Sequence, residues 1–171
     1  RELVRRQPVV EVWDIGANHG RMALLCARHG ASRVLAIEPS DANLAVLREH
    51  LTANPSLAER IDVLPGAISN RDGTMDLIVD QSDGATCQIR ASGVREYEHD
   101  PAMVVNTIES YRLDSLVDSR GAAPALLKID VEGAEALVLE GAARLLMTAR
   151  PIVVVEIHNA GAGRACLSLF E

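Results

Sequence analysis

An α/β fold, a mostly parallel sheet with helices on both faces, is what this sequence predicts, and three features predict it. Short apolar runs alternate with segments of helical periodicity, so strands and crossover helices follow one another. The first run, Val9-Val10-Glu11-Val12-Trp13-Asp14, leads into the glycine-bearing loop Ile15-Gly16-Ala17-Asn18-His19-Gly20. Acidic residues then recur at the ends of later runs, at Glu38, Asp130 and Glu156. Open α/β sheets bind ligands outside the carboxyl ends of their strands, so these acids are expected on one rim.

Length and composition bound the answer. At 171 residues the chain is read as a single domain, residues 1–171, and its 48% hydrophobic content excludes a disordered chain. No apolar stretch is long enough to span a bilayer and no signal peptide is visible. Seventeen basic against 24 acidic residues give a net charge of -7, which argues against general nucleic-acid binding. The 2% aromatic content leaves no stacking platform for single strands. The three cysteines, Cys26, Cys87 and Cys166, have no metal-binding spacing and read as free thiols in a reducing compartment, so a cytoplasmic location is expected. The motif strand begins almost at Arg1, so the natural start is expected to lie upstream.

Met22 to His29 has helical spacing and closes at Gly30, suited to an αL cap. Arg33-Val34-Leu35-Ala36-Ile37 reads as a buried strand ending at Glu38-Pro39, and Ser40 is placed to cap the next helix. There Leu44, Leu47 and Leu51 share a face, until Asn54-Pro55 stops the run. Ile61 to Leu64 is the third strand, joined like the others by right-handed crossovers.

The alternation then breaks. Pro65 to Ser69 reads as a loop and Asn70-Arg71-Asp72-Gly73 as a turn. Thr74 to Asp80 alternates, with Met75, Leu77 and Val79 on one face of a half-exposed strand. Gln81 to Gly84 turns the chain towards Thr86 to Arg90, and the polar stretch Gly93 to Pro101 is expected to be mobile. Met103 to Ile108 reads as a short strand and Leu113 to Val117 as one helical turn. Together they form a short β-rich insertion before the fourth core strand. Ala125 to Asp130 is that strand, followed by Val131-Glu132-Gly133 and a helix from Ala134 to about Met147. Ile152 to Ile157 reads as an apolar strand of a sheet interior, with His158-Asn159 at its end.

The first loop is not a dinucleotide fingerprint, because Asn18 stands where G-x-G-x-x-G has its second glycine. Asp14, at the strand tip, suits a cationic group better than a pyrophosphate. A phosphate-free nucleoside with a sulfonium, an ammonium and a ribose, S-adenosylmethionine, fits it. Glu38 lies one β-α unit further on, where doubly wound folds place the acid that grips ribose hydroxyls.

Trp13 to Gly20, Ile37-Glu38-Pro39, Lys128-Ile129-Asp130-Val131-Glu132-Gly133-Ala134-Glu135 and Val155-Glu156-Ile157-His158 together resemble the FkbM-type methyltransferases. The resemblance implies a Rossmann-like class I methyltransferase fold, S-adenosylmethionine as donor, and O-methylation of a small molecule or sugar. It implies that Asp14, Gly16, Asn18 and Gly20 line the methionine part of the donor, that Glu38 holds the ribose, and that Ala67 and Ile68 lie near the adenine. Asp130 would face donor and acceptor. Two further strands normally follow in the family, so C-terminal strands are expected to be missing and the last strand to be an exposed edge prone to self-association.

A hydroxyl is a weak nucleophile, so a base near its proton helps. His158 is the best candidate because imidazole titrates near neutrality, with Asp130 and Glu132 orienting it or binding the hydroxyl. Asp130, Glu156 and His158 could instead hold Mg²⁺, a less favoured option. An NAD-dependent oxidoreductase and a non-catalytic adenosine-binding scaffold are the alternative function classes.

Overall fold

A computed structural model describes residues 11–80, 87–89 and 103–169. The opening residues Val9 and Val10, the turn at Gln81 to Gly84 and the polar stretch from Gly93 to Pro101 lie outside them. Five strands, β1 (Glu11–Ile15), β2 (Arg33–Glu38), β3 (Ile61–Pro65), β8 (Leu126–Ile129) and β9 (Ile152–Val155), form one sheet in the order β3-β2-β1-β8-β9. Every neighbouring pair in it is parallel.

Period-2 alternation explains why helices cover both faces. Trp13, Ile15, Leu35, Ile37, Leu127 and Ile129 point to one face, against Leu113 and Leu116 of α4 (Leu113–Arg120), Val138 and Leu139 of α5 (Glu135–Glu140), Leu145 of α6 (Ala143–Thr148) and Cys166 of α7 (Ala160–Ser168). Val12, Val34, Ala36 and Leu126 point to the other, against Ala23, Cys26 and Ala27 of α1 (Arg21–Arg28) and Leu47 of α2 (Asp41–Thr52). The indole of Trp13 donates to Glu11 Oε1 at 2.7 Å, which satisfies both buried polar groups. Cys26 and Cys166 are free and buried, and burial pushes the Cys26 thiol up to about 11. No described helix is long and apolar enough to cross a membrane.

The insertion builds a second sheet in the order β4-β7-β5-β6, from β4 (Ala67–Ile68), β5 (Gly73–Asp80), β6 (Cys87–Ile89) and β7 (Met103–Tyr111). The expected loop at Pro65 to Ser69 therefore contains a strand, because Ala67 and Ile68 pair in parallel with Ser110 and Tyr111. The expected single turn at Leu113 is a two-turn helix, α4. Pro55 does more than stop α2: it opens the short α3 (Pro55–Ala58), where its fixed φ and missing N–H suit the first turn.

The single helix expected from Ala134 to Met147 is two, α5 and α6, parted at Gly141 and Ala142. Two contacts across the fold part them. Asp114 of α4 accepts from Arg144 N–H at 3.1 Å and Leu145 N–H at 2.8 Å, capping α6 from outside. Gly141 is wedged against the Ser69 carbonyl, where any Cβ would collide. Its φ of -70 is ordinary, so space and not backbone strain requires glycine. Gly141→Ala is expected to destabilise the fold by about 1–3 kcal/mol through overpacking. An unchanged melting temperature would show that Ser69 yields without cost.

The strand at Ile152 is also shorter than expected; among the described residues it sits at a sheet edge, which agrees with the expectation of an exposed last strand and not with its interior-type composition. Among the described residues it pairs only with β8, and Val154 is exposed.

Candidate functional site

The site forms where β1, β2 and β8 end. Gly16 and Ala17 both donate their N–H to Ile37 O at 3.0 Å, which ties the first loop to β2. Gly16 has φ +73, and a Cβ there would collide with the Asp130 carbonyl oxygen, so glycine lets the loop lie against the end of β8. Asn18 follows at φ +50, a left-handed conformation that asparagine tolerates. Gly20 opens α1 at φ +75, and a Cβ would come within 2.9 Å of Leu47 Cγ. It serves packing and does not line the cavity.

Glu38 is buried and gathers three elements. Its Oε2 accepts from Asn18 N–H at 2.8 Å, and its Oε1 accepts from Ser40 N–H at 3.0 Å and Asn43 Nδ2 at 3.1 Å. A carboxylate has about four lone-pair sites, so one more donor can be taken. Asn43 had no role in the sequence reading. Its signal was its place three residues after the cap Ser40, whose side chain accepts Asn43 N–H.

Glu38, Asn18 and Asn43 line a cavity together with the apolar Ala67, Ile68 and Leu77 and with Asp130, Val131 and Glu132 from the end of β8 and the turn after it. Asp14 does not line it. It is fully buried within β1, where its register partners are Ala36 and Lys128. Lys128 Nζ approaches Asp14 Oδ1 at 3.3 Å, while neither Asp14 oxygen has a well-formed hydrogen bond. Burial pushes the Asp14 carboxyl up to about 6, against the pull of Lys128. The same ammonium donates to Gly16 O at 3.0 Å and meets Asp130 Oδ2 at 3.2 Å. Lys128, quoted in the motif but given no role there, thus joins Asp14, the first loop and Asp130. Its position in β8, two residues before Asp130 at the strand's end, brings both side chains to the same side.

Beyond Asp130 the rim is a cluster. His158 Nε2 stands 3.2 Å from Asp130 Oδ1 and 3.6 Å from Glu132 Oε1, and its Nδ1 is 2.7 Å from Glu135 Oε1. Glu132 takes φ +49 and Gly133 φ +97 in the turn that presents them. The bond to Glu135 raises the His158 pKa, and Glu132 and Asp130 add to it. Glu135 is the third residue, after Asn43 and Lys128, that sequence reasoning left without a role. Asp130, Glu156 and His158 offer ligand atoms within 4.8 Å of one another. Lys128 already places a positive charge against Asp130, which counts against a second cation there. Of the expected site residues, the structure brings Asp130, Glu132 and His158 together, sets Glu38 on the cavity that Asp130 and Glu132 also line, and buries Asp14 within β1.

The family described as "Methyltransferase FkbM domain" matches residues 14–169. A hexuronic acid methyltransferase, AglP, of Haloferax volcanii is 30% identical over 148 residues, 86% of this chain and 55% of that protein. A methyltransferase FkbM from Methylobacillus flagellatus KT superposes with a TM-score of 0.69 at 20% identity, over 99% of this chain and 38% of its own. The C-terminal domain of a precorrin-6Y C5,15-methyltransferase from Rhodobacter capsulatus gives 0.54 at 14% identity, over 98% of this chain and 64% of its own. The two solved structures bear on the fold, which is the Rossmann-like methyltransferase fold. The chain spans about half the length of the curated relative it matches.

Proposed function

The chain belongs to the FkbM methyltransferase family, and from that premise we propose that it transfers a methyl group from S-adenosylmethionine to a hydroxyl of a sugar. The observation that carries this reading is the double position of Asp130: it lines the same cavity as Glu38, and its Oδ1 lies 3.2 Å from His158 Nε2.

The residues fit the donor. Glu38 has an acceptor site left for the ribose hydroxyls. Ala67, Ile68 and Leu77 offer an apolar wall to the adenine, and Gly16 and Asn18 border the methionine end. Asp14 acts on this end from beneath, through Lys128 and the Gly16 carbonyl. When bound, the donor supplies an activated methyl on a sulfonium. His158 Nε2 would take up the proton of the acceptor hydroxyl, which is the part of the transfer that falls to this chain's own side chains. Asp130 and Glu132 hold the imidazolium so formed, and alignment of nucleophile and methyl supplies several kcal/mol of the barrier.

AglP is named for a hexuronic acid, so hexuronate-containing oligosaccharides are the first acceptors to test, with neutral hexose oligosaccharides beside them. Labelled methyl is expected to appear as a methyl ether on one of the two sets. Failure of the protein to bind S-adenosylhomocysteine in calorimetry, together with no transfer to any sugar, would overturn the reading.

A further inference from the structure

We propose that Glu135 is a positioning residue for the reaction: it fixes which nitrogen of His158 carries the proton in the neutral ring, and so leaves Nε2 free to receive the acceptor's proton. The inference rests on the role given to His158 above, and the geometry of four residues carries it.

Glu135 lies in the first turn of α5 and is fully buried. Its Oε1 accepts from Gly133 N–H at 2.9 Å and sits 2.7 Å from His158 Nδ1. A carboxylate can only accept, so at this distance the proton belongs on Nδ1. The Gly133 bond fixes the carboxylate, because it ties Oε1 to the turn that carries Asp130 and Glu132. Glu135 Oε2 has no partner among the described residues, so the buried charge is met chiefly through Oε1. A buried acid in that state favours positive charge on the imidazole it touches.

The other nitrogen then faces an unusual neighbour. With the proton on Nδ1, Nε2 presents a lone pair to Asp130 Oδ1 at 3.2 Å. Two acceptors at that distance repel each other unless a proton lies between them. The arrangement is relaxed either when a hydroxyl donates into the gap or when Nε2 has taken the proton. It therefore favours the direction of proton flow that methyl transfer to a hydroxyl needs. The charged groups around the ring are Glu135 from α5, Asp130 and Glu132 from the turn after β8, and Glu156 from the end of β9, with Lys128 behind Asp130. Among the described residues, Glu135 alone makes an ion-pair contact with Nδ1. Asp130 and Glu132 lie on the Nε2 side and cannot substitute for it. The bond between Glu135 and His158 also raises the ring's pKa, in keeping with this geometry.

The test is nitrogen NMR of the histidine ring, which needs no sugar acceptor. In the parent protein the neutral His158 ring is expected to carry its proton on Nδ1 and to titrate above the range of an exposed histidine. Glu135→Gln keeps the shape and an acceptor oxygen but removes the charge, so the titration is expected to move down by about one pH unit or more. In methyl transfer, kcat is expected to fall about tenfold or more with KM little changed, and the acid limb of the pH profile should move with the NMR titration. A neutral ring with its proton on Nε2 in the parent would overturn the proposal, even if Glu135→Gln failed to fold. So would equal titration of His158 in parent and variant. Absence of methyl transfer with the NMR result intact would instead count against the proposed reaction, so the two failures are distinguishable.

Discussion

Glu38→Ala is expected to weaken binding of S-adenosylhomocysteine by about 100-fold or more and to lower fold stability by about 2–4 kcal/mol. Both effects come from one carboxylate doing two jobs. In the folded chain it accepts from Asn18 N–H, Ser40 N–H and Asn43 Nδ2, all at or within 3.1 Å. Alanine leaves these buried or half-buried donors unmet, and each charge-assisted bond is worth about 1.5–3 kcal/mol, though not additively. The Asn18 loop then loses its tie to β2 on the side chain, and keeps only the backbone bonds from Gly16 and Ala17 to Ile37. The proposed ribose contact disappears as well. Glu38→Gln separates the two jobs, because its amide oxygen can still accept while its NH₂ opposes the Asn18 N–H. It should lose about tenfold in affinity with a smaller loss of stability. Calorimetry and thermal melts on both variants are the measurements. Parent affinity in a folded Glu38→Ala protein would remove Glu38 from the donor site.

Glu38 was legible in the sequence because its position depends only on local information, the end of an apolar run one β-α unit after a glycine loop. The same holds for Gly16, Asn18 and the Ser40 cap. What was not legible depends on register and on distant packing. Lys128 meets Asp14 only because β1 pairs with β8 so that residue 14 lies opposite residue 128, a choice no local pattern encodes. Glu135 reads as an ordinary acid in a helix's first turn until the end of β9 brings His158 over it. The break at Gly141 escaped for a similar reason: Leu137 to Met147 is good helix sequence, and its interruption comes from Asp114 and Ser69, far away in the chain. For β9 the composition alone points to a sheet interior, while the strand order expected from the family resemblance points to an edge. Four β-branched residues in Ile152-Val153-Val154-Val155 suit a buried strand, yet the sheet's order puts them at an edge.

Asp14→Asn is expected to stabilise the protein above pH 6 by up to about 3 kcal/mol while weakening the donor site. The carboxyl is fully buried, and burial raises its pKa from 3.8 to about 6. Between those values the folded protein holds a proton that the unfolded chain has released. Folding is therefore favoured less as pH rises through that window, and the full penalty is present above pH 6. At 1.36 kcal/mol per pH unit the roughly two units amount to about 3 kcal/mol, an upper figure because the asparagine amide must itself find partners in the same buried place. Lys128 would lose one partner but keep Asp130 and the Gly16 carbonyl, so the variant should not be left with a stranded cation. Loosening Lys128 nonetheless relaxes the loop at Gly16, and affinity for S-adenosylhomocysteine is expected to fall about tenfold at pH 8. In the parent, affinity should fall as pH drops through 6 and Asp14 takes up its proton; in the variant that dependence should vanish. Denaturant unfolding at pH 5 and pH 8, paired with calorimetry at both, measures all four quantities. If the variant is less stable than the parent at pH 8, Asp14 is a net structural asset and not an acid held charged for binding. If it binds with parent affinity at both pH values, Asp14 plays no part in the donor site.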